Sequence, residues 1–201
     1  MDEKGEETSQ EKRLNWFFNG MHDLIEKETN SSNRYVDIIA NGEGNGVEFK
    51  PTLLYNFKTK KPGIGVKSII AKAICSFLNS NGGLLFIGLN DDGTAQGLEY
   101  DFSLSNKPNA KDFFQNEFDQ MIEHFLSFSV KSSINGEFIE LNDKVIFVVK
   151  VEPSKNRPIF LSTIDEEKKK VKQFWVRGNA GNRQLTDTEE LANYCIARWG
   201  N

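Results

Sequence analysis

The sequence is short of the residues that carry covalent or metal chemistry. It has two cysteines and two histidines. Cys75 and Cys195 both fall on apolar helical faces, so they read as small buried hydrophobes of a reducing cytosol rather than a disulfide. His22 and His124 lie on predicted helices, distant in sequence from either cysteine. Neither a zinc spacing nor a histidine-based nucleophile pattern is visible. There is no G-x-x-x-x-G-K-[ST] loop, which argues against a P-loop nucleotide site. The glycine run Gly42–Gly46 opens no helix and is not a dinucleotide fingerprint. No apolar run is long enough to cross a bilayer, and the N-terminus lacks the apolar core of a signal peptide. The expectation is a cytoplasmic protein with no membrane partner. Positive charge is not in excess either: 25 Lys and Arg face 29 Asp and Glu, for a net charge of −4. That excludes coating nucleic acid by bulk charge but leaves room for a local basic groove.

Apolar material is plentiful. Sixteen phenylalanines in 201 residues are ample for one sizeable core. The organising stretch is Ser68–Gly97. Val66, Ile69, Ile70, Ala73, Ile74, Phe77 and Leu78 recur at the spacing of one helix face. Asn79-Ser80-Asn81-Gly82-Gly83 stops that helix. Leu84-Leu85-Phe86-Ile87 predicts a strand buried on both faces. Its far end, Gly88–Gly93, is a turn rich in carboxylates, and strand ends of this kind often hold ligands in α/β sheets.

Along the chain, residues 1–13 read as a disordered tail and 14–34 as an amphipathic helix with a polar linker. Residues 35–201 read as one domain. Tyr35–Ala40 is apolar, helix or strand, and Val47–Lys50 a short strand. Thr94–Leu98 is expected as the return strand of a hairpin, Phe102–Asn109 as loop and Ala110–Phe128 as helix. Asn135-Gly136 between Val130–Ile134 and Phe138–Leu141 predicts a type I′ hairpin turn. Asn142-Asp143 then turns into Val145–Val149. Ile159–Leu161 and Gln173–Val176 are expected as edge strands around a charged tip, Asp165–Lys170. Thr186–Glu189 is a capping box opening a last helix with Leu191, Ala192, Cys195, Ile196 and Trp199 inward. The fold class is α+β: a mixed, mostly antiparallel sheet packed by helices.

Several residues could do chemistry. On a strand, Glu48 and Lys50 share a face while Phe49 takes the other. A carboxylate beside an ammonium suits metal-assisted phosphodiester chemistry, although an isolated E-x-K is commonly a surface ion pair. Glu43, in the glycine-rich loop, could fold back over the strand. Asp91 and Asp92 supply carboxylates from a third element, alternatively a solvated turn. Oxygen donors of this kind suit Mg²⁺ or Mn²⁺. Lys58, Lys60, Lys61 and Lys67 precede the central helix, and Arg177 and Arg183 flank Gly178–Asn182. A glycine-rich arginine loop can grip phosphates through backbone N–H groups and guanidinium forks, or be an ordinary exposed loop. Lys168–Lys170 with Lys172 is most simply a solvated hairpin tip.

These residues carry a family resemblance. Glu43…Glu48-Phe49-Lys50, then Ser76–Gly83, then Leu85–Gly93 with Gly97, resemble in order the conserved blocks of the Schlafen AlbA-like domain. Pro158, Phe174-Trp175-Val176-Arg177-Gly178-Asn179 and Arg183 resemble its C-terminal segment. The likeness runs from about Tyr35 to Trp199. It implies nucleic-acid binding, with RNA favoured over DNA. In nuclease members it implies metal-dependent cleavage of structured RNA such as tRNA through two glutamates and an aspartate. Those positions fall on Glu43, Glu48 and one of Asn90, Asp91 or Asp92, with Asp91 favoured. Lys50 would sit beside the metal site, with Lys58, Lys60, Lys61, Arg177 and Arg183 on phosphates. Other members are described as DNA-binding or ATP-binding, so a non-catalytic regulatory or defence module and an ATP-binding domain are the alternatives. Leu78 and Gly181-Asn182 depart from the family pattern, and the zinc site of the larger animal proteins is absent. Those proteins pair two such lobes across a groove, so the resemblance implies a homodimer here.

Overall fold

The computed structural model describes residues 34–106, 108–178 and 181–200. The chain divides into two units, Met1–Ala40 and Asn41–Asn201. In the first, residues 34–40 are helical (α1), which resolves the helix-or-strand alternative for Tyr35–Ala40. The expected tail over 1–13 and nearly all of the helix over 14–34 lie outside the described residues.

The second unit is α+β, and its described residues form two larger sheets and a two-stranded hairpin. β1 (Val47–Lys50), β4 (Gly83–Ile87), β6 (Lys144–Val151) and β5 (Ile134–Leu141) form a four-stranded sheet in the order β1-β4-β6-β5. β1 runs parallel to β4, in the register Glu48↔Leu85 and Lys50↔Ile87, and the other pairs are antiparallel. Leu85, Ile87, Phe147 and Val149 face the central helix α2 (Ile64–Leu78) and α4 (Ala110–Phe125). Phe147 is the hub of this core, with ring centroids 4.7 Å from Phe138, 5.2 Å from Phe114 and 5.3 Å from Phe118. The opposite face, with Phe49, Phe86, Ile146 and Val148, is equally buried, as expected for the all-apolar runs of β4 and β6.

A three-stranded antiparallel sheet, β7 (Leu161–Ile164), β8 (Lys170–Gly178) and β9 (Gly181–Leu185), packs on α2. Its outer residues Phe174, Val176 and Leu185 meet Leu191, Tyr194, Cys195 and Trp199 of α5 (Thr188–Trp199). Asn79, fully buried at the C-cap of α2, ties these parts together. Its amide donates to the carbonyls of Ile159 (2.7 Å) and Trp175 (3.0 Å), and its side-chain oxygen accepts from Ile159 N (2.8 Å). Its own carbonyl accepts from the Tyr194 hydroxyl at 2.6 Å.

Several elements differ from expectation. Asn135 and Gly136 lie inside β5, and the turn is the next pair, Asn142-Asp143, with φ of +51° and +58°. Gly136 is needed for space instead, because a Cβ there would sit 2.2 Å from Phe147 Cζ. Packing of the core phenylalanine against the strand thus overrode a good local turn signal. Thr94–Leu98 makes only an isolated bridge, Leu89↔Ala95, and a short helix α3 (Glu99–Phe102) follows, its last residue reaching into the expected loop. α4 stops at Phe125, before a 3-10 turn, Phe128–Ser133. α5 is capped by Asp187, which accepts from Glu190 N, one residue later than the expected box. Ile69 and Ile196, expected inward, are exposed. Both cysteines are free, and burial pushes the Cys75 thiol up to about 12.

A candidate nucleic-acid site on β1

Strand β1 lies at the edge of its sheet and directs Glu48 and Lys50 to the face that α2 covers. Glu48 is therefore only 8% exposed, and the E-x-K motif is a buried network rather than a surface ion pair. Lys50 Nζ lies 2.9 Å from Glu48 Oε1 and 3.6 Å from Glu43 Oε1. Glu43 Oε1 also accepts from the Phe49 amide at 2.6 Å, so the 43–46 loop does fold back over the strand.

The other partner arrives from β8. Arg177 Nη1 donates to Glu48 Oε2 at 2.5 Å and to Asn182 Oδ1 at 2.9 Å. Nη2 donates to the carbonyls of Gly44 (2.5 Å) and Val47 (3.3 Å), and Nε to that of Asn45 (3.2 Å). The guanidinium stacks 4.8 Å over Phe77, and the Arg177 amide donates to Ser80 Oγ at 2.8 Å. Asn182 Nδ2 adds a 3.4 Å contact to Glu48 Oε1, and Ser76 Oγ donates to Asn182 Oδ1. Arg177 thus clasps the glycine-rich loop to the second sheet, with its donors committed to protein oxygens.

Burial alone would raise the Glu48 pKa. The hydrogen bonds and charges of Lys50 and Arg177 outweigh it and hold the carboxyl below its ordinary value. Two carboxylates and two cations leave the cluster neutral.

The remaining expected residues lie elsewhere. Asp91 is exposed in the turn beyond β4, and Asp92 beside it accepts from Thr94 N and Oγ1. Asn90 pairs with Thr94 Oγ1 at 3.0 Å. This turn leaves the sheet at the end where Gly88 N donates to the Lys50 carbonyl, so it shares that end with Lys50. Among the described residues, no three His, Cys, Asp or Glu side chains are grouped to hold a metal ion. Asp91 therefore does not join Glu43 and Glu48, and Lys50 bridges those two carboxylates itself. As arranged, the donors do not fit a three-carboxylate centre for Mg²⁺ or Mn²⁺.

Lys58, Lys60 and Lys61 are exposed on the hairpin of β2 (Tyr55–Asn56) and β3 (Lys61–Pro62). Lys67 pairs with Glu117 at 2.6 Å. Arg183 pairs with Glu190 at 2.6 Å in a cleft of about 630 Å³ that Asp187 and Glu189 also line, a poor seat for phosphate. Asn179 and Ala180 of the arginine loop lie outside the described residues.

Sequence reasoning missed Asn182, Ser76 and Ser80, which support Arg177, because ordinary polar residues carry no signal of a distant partner. It also missed Asp101, buried on α3. Its carboxylate accepts from Thr52 Oγ1 (2.5 Å) and from the amides of Leu53 (3.2 Å), Leu54 (2.8 Å) and Tyr55 (2.9 Å).

Residues 43–186 match the family described as Schlafen, AlbA_2, a span that starts at Glu43 and takes in β1, the central helix and strand, and the Arg177 clasp. The chain belongs to the Schlafen AlbA_2 family. This membership links it to nucleic-acid-related function. No curated protein matches the chain. Among solved structures, the DIP2311 protein from Corynebacterium diphtheriae is similar, at 18% identity and a TM-score of 0.49. The likeness covers 78% of this AlbA_2 chain and 28% of that one. No described helix is long and apolar enough to cross a membrane.

Proposed function

We propose that this protein binds nucleic acid, RNA in preference to DNA, as a regulatory or defence module. The observation that carries this is charge polarisation. In a chain of net charge −4, Lys58, Lys60 and Lys61 stand exposed on one short hairpin, and no described carboxylate pairs with them. Three such cations release counterions when they meet phosphates, so binding falls as salt rises, with a log–log slope of roughly −2 for a single strand. Fluorescence anisotropy with labelled RNA and DNA over a salt series tests it. The expected result is tighter binding to RNA and a shallower salt slope in a Lys58→Ala/Lys60→Ala/Lys61→Ala variant. Absence of binding to either polymer at low salt would overturn the reading.

A second reading is a divalent-metal-dependent endoribonuclease acting on structured RNA such as tRNA. The convergence of Glu43, Glu48 and Lys50 favours it. It requires Lys50 to leave the gap between the carboxylates and Asp91 to approach. The test is a tRNA pool incubated with Mn²⁺ or Mg²⁺, wild type against Glu43→Gln. Cleavage lost in the variant supports this reading, and intact tRNA with retained binding supports the first. ATP binding ranks behind both for want of a phosphate loop, and an ATP titration of the same preparation addresses it. A homodimer would supply a second face for the RNA, and sedimentation velocity reads it directly.

A further inference from the structure

Beside the lysine hairpin stands a cluster of aromatic rings. Tyr55, Phe57 and Tyr100 form a mutual triad, with centroids 5.2 Å apart for Tyr55–Phe57 and 5.1 Å for each of the other pairs. Phe57 is 42% exposed and Tyr100 45%, both high for large rings in a chain with an ample core. Phe57 opens the four-residue turn whose next members include Lys58 and Lys60, with Lys61 after them.

The triad is held in place from below. Tyr100 is the neighbour of Asp101, and the Asp101 carboxylate gathers the amides of Leu53, Leu54 and Tyr55. This joins two segments 46 positions apart and sets Tyr55 against Tyr100. The hairpin turn is fixed separately. Asn56 Oδ1 accepts from the amides of Lys58 (2.9 Å) and Thr59 (3.2 Å), and the Asn56 carbonyl accepts from Lys60 N (2.7 Å). The same carboxylate anchors the buried Leu53–Leu54 backbone, so the rings are mounted on a fixed part of the core. Phe57 and Tyr100 keep ring surface open to a flat partner.

We infer that the Tyr55–Phe57–Tyr100 triad is a stacking platform for an unpaired base, and that Lys58, Lys60 and Lys61 hold the flanking phosphates of a single-stranded segment. Aromatic faces beside a cationic track are the physical means by which single strands are held without sequence readout. A duplex buries its base faces and cannot use the rings. The platform follows β1 directly, with Tyr55 five positions beyond Lys50, so its Cα lies within about 18 Å of that residue's. The platform is thus close along the chain to the Glu43–Glu48–Lys50 cluster. This inference rests on the nucleic-acid reading and adds the form of the ligand.

The test compares a labelled single-stranded RNA with a fully paired RNA of the same length, using the whole chain. Wild type is expected to prefer the single strand. Phe57→Ala and Tyr100→Ala are each expected to weaken single-strand binding about tenfold and leave duplex binding within about twofold. Phe57→Leu keeps apolar bulk but no flat face and should behave as Phe57→Ala, while Phe57→Trp should restore binding. Thermal melts of each variant separate lost stacking from lost folding. Unchanged single-strand affinity in folded Phe57→Leu and Tyr100→Ala overturns the platform and leaves the nucleic-acid reading standing. Failure of wild type to bind any RNA or DNA overturns both. A DNA single strand in a parallel arm shows whether the platform tells the two sugars apart.

Discussion

Arg177 Nη1 and Glu48 Oε2 meet at 2.5 Å across 129 positions of chain. Both side chains are nearly out of water, with exposures of 5% and 10%. The contact closes the edge strand of one sheet onto the hairpin of the other.

Breaking that pair from one side should be costly. Glu48→Gln leaves Arg177 without its anion in a desolvated place and Lys50 with Glu43 alone. A loss of about 3 kcal/mol in unfolding free energy is expected, read by urea denaturation. Arg177→Lys should lose nearly as much, because one ammonium cannot serve Glu48, Asn182 and three backbone carbonyls together. A loss below about 1 kcal/mol for both would mean that the clasp is peripheral.

The same pair sets an acid limit. Glu48 is held below its ordinary value of 4.5, so folding favours the ionised form. Its contribution is complete at pH well above 4.5 and disappears as pH falls through the lower folded-state value. Melting temperatures from pH 7 to pH 3 should therefore show wild type ahead of Glu48→Gln at neutral pH and the two converging in acid. A gap that persists unchanged at pH 3 would contradict this account.

Lys50 stands between Glu43 and Glu48, where a divalent ion would otherwise be attracted. Millimolar Mn²⁺ should leave the wild-type melting temperature unmoved and raise that of Lys50→Ala. Equal responses in the two proteins would show that the ammonium does not compete for that place.

Asn79 and Gly136 test the packing. Asn79→Ala strands two buried carbonyls and one amide, at roughly 3 kcal/mol or more. Gly136→Ala should cost about 1–3 kcal/mol through its clash with Phe147, and Phe147→Leu in the same chain should recover part of it. Independent, additive losses at residues 136 and 147 would rule out the clash.

The central helix and strand were legible because hydrophobic periodicity and glycine punctuation are local properties of the chain. The closeness of Glu48 and Lys50 was legible for the same reason: a strand places every second residue on one face. The Asn135-Gly136 turn was misjudged because a glycine chosen for a neighbouring ring looks identical, in sequence, to one chosen for a turn.

By itself, then, the sequence determined the central helix and strand, the β1 strand and the last helix, which carboxylates and lysines are available, and the family. Only the tertiary structure decided what Glu48 touches, that Asp91 stands apart, and that Asp101 brings Tyr100 to Tyr55. Those are contacts between segments far apart along the chain, and they form only when the two sheets close on α2 and α3 docks on the strand end. Residue types and spacings describe what each segment offers, whereas packing selects which of those offers meet.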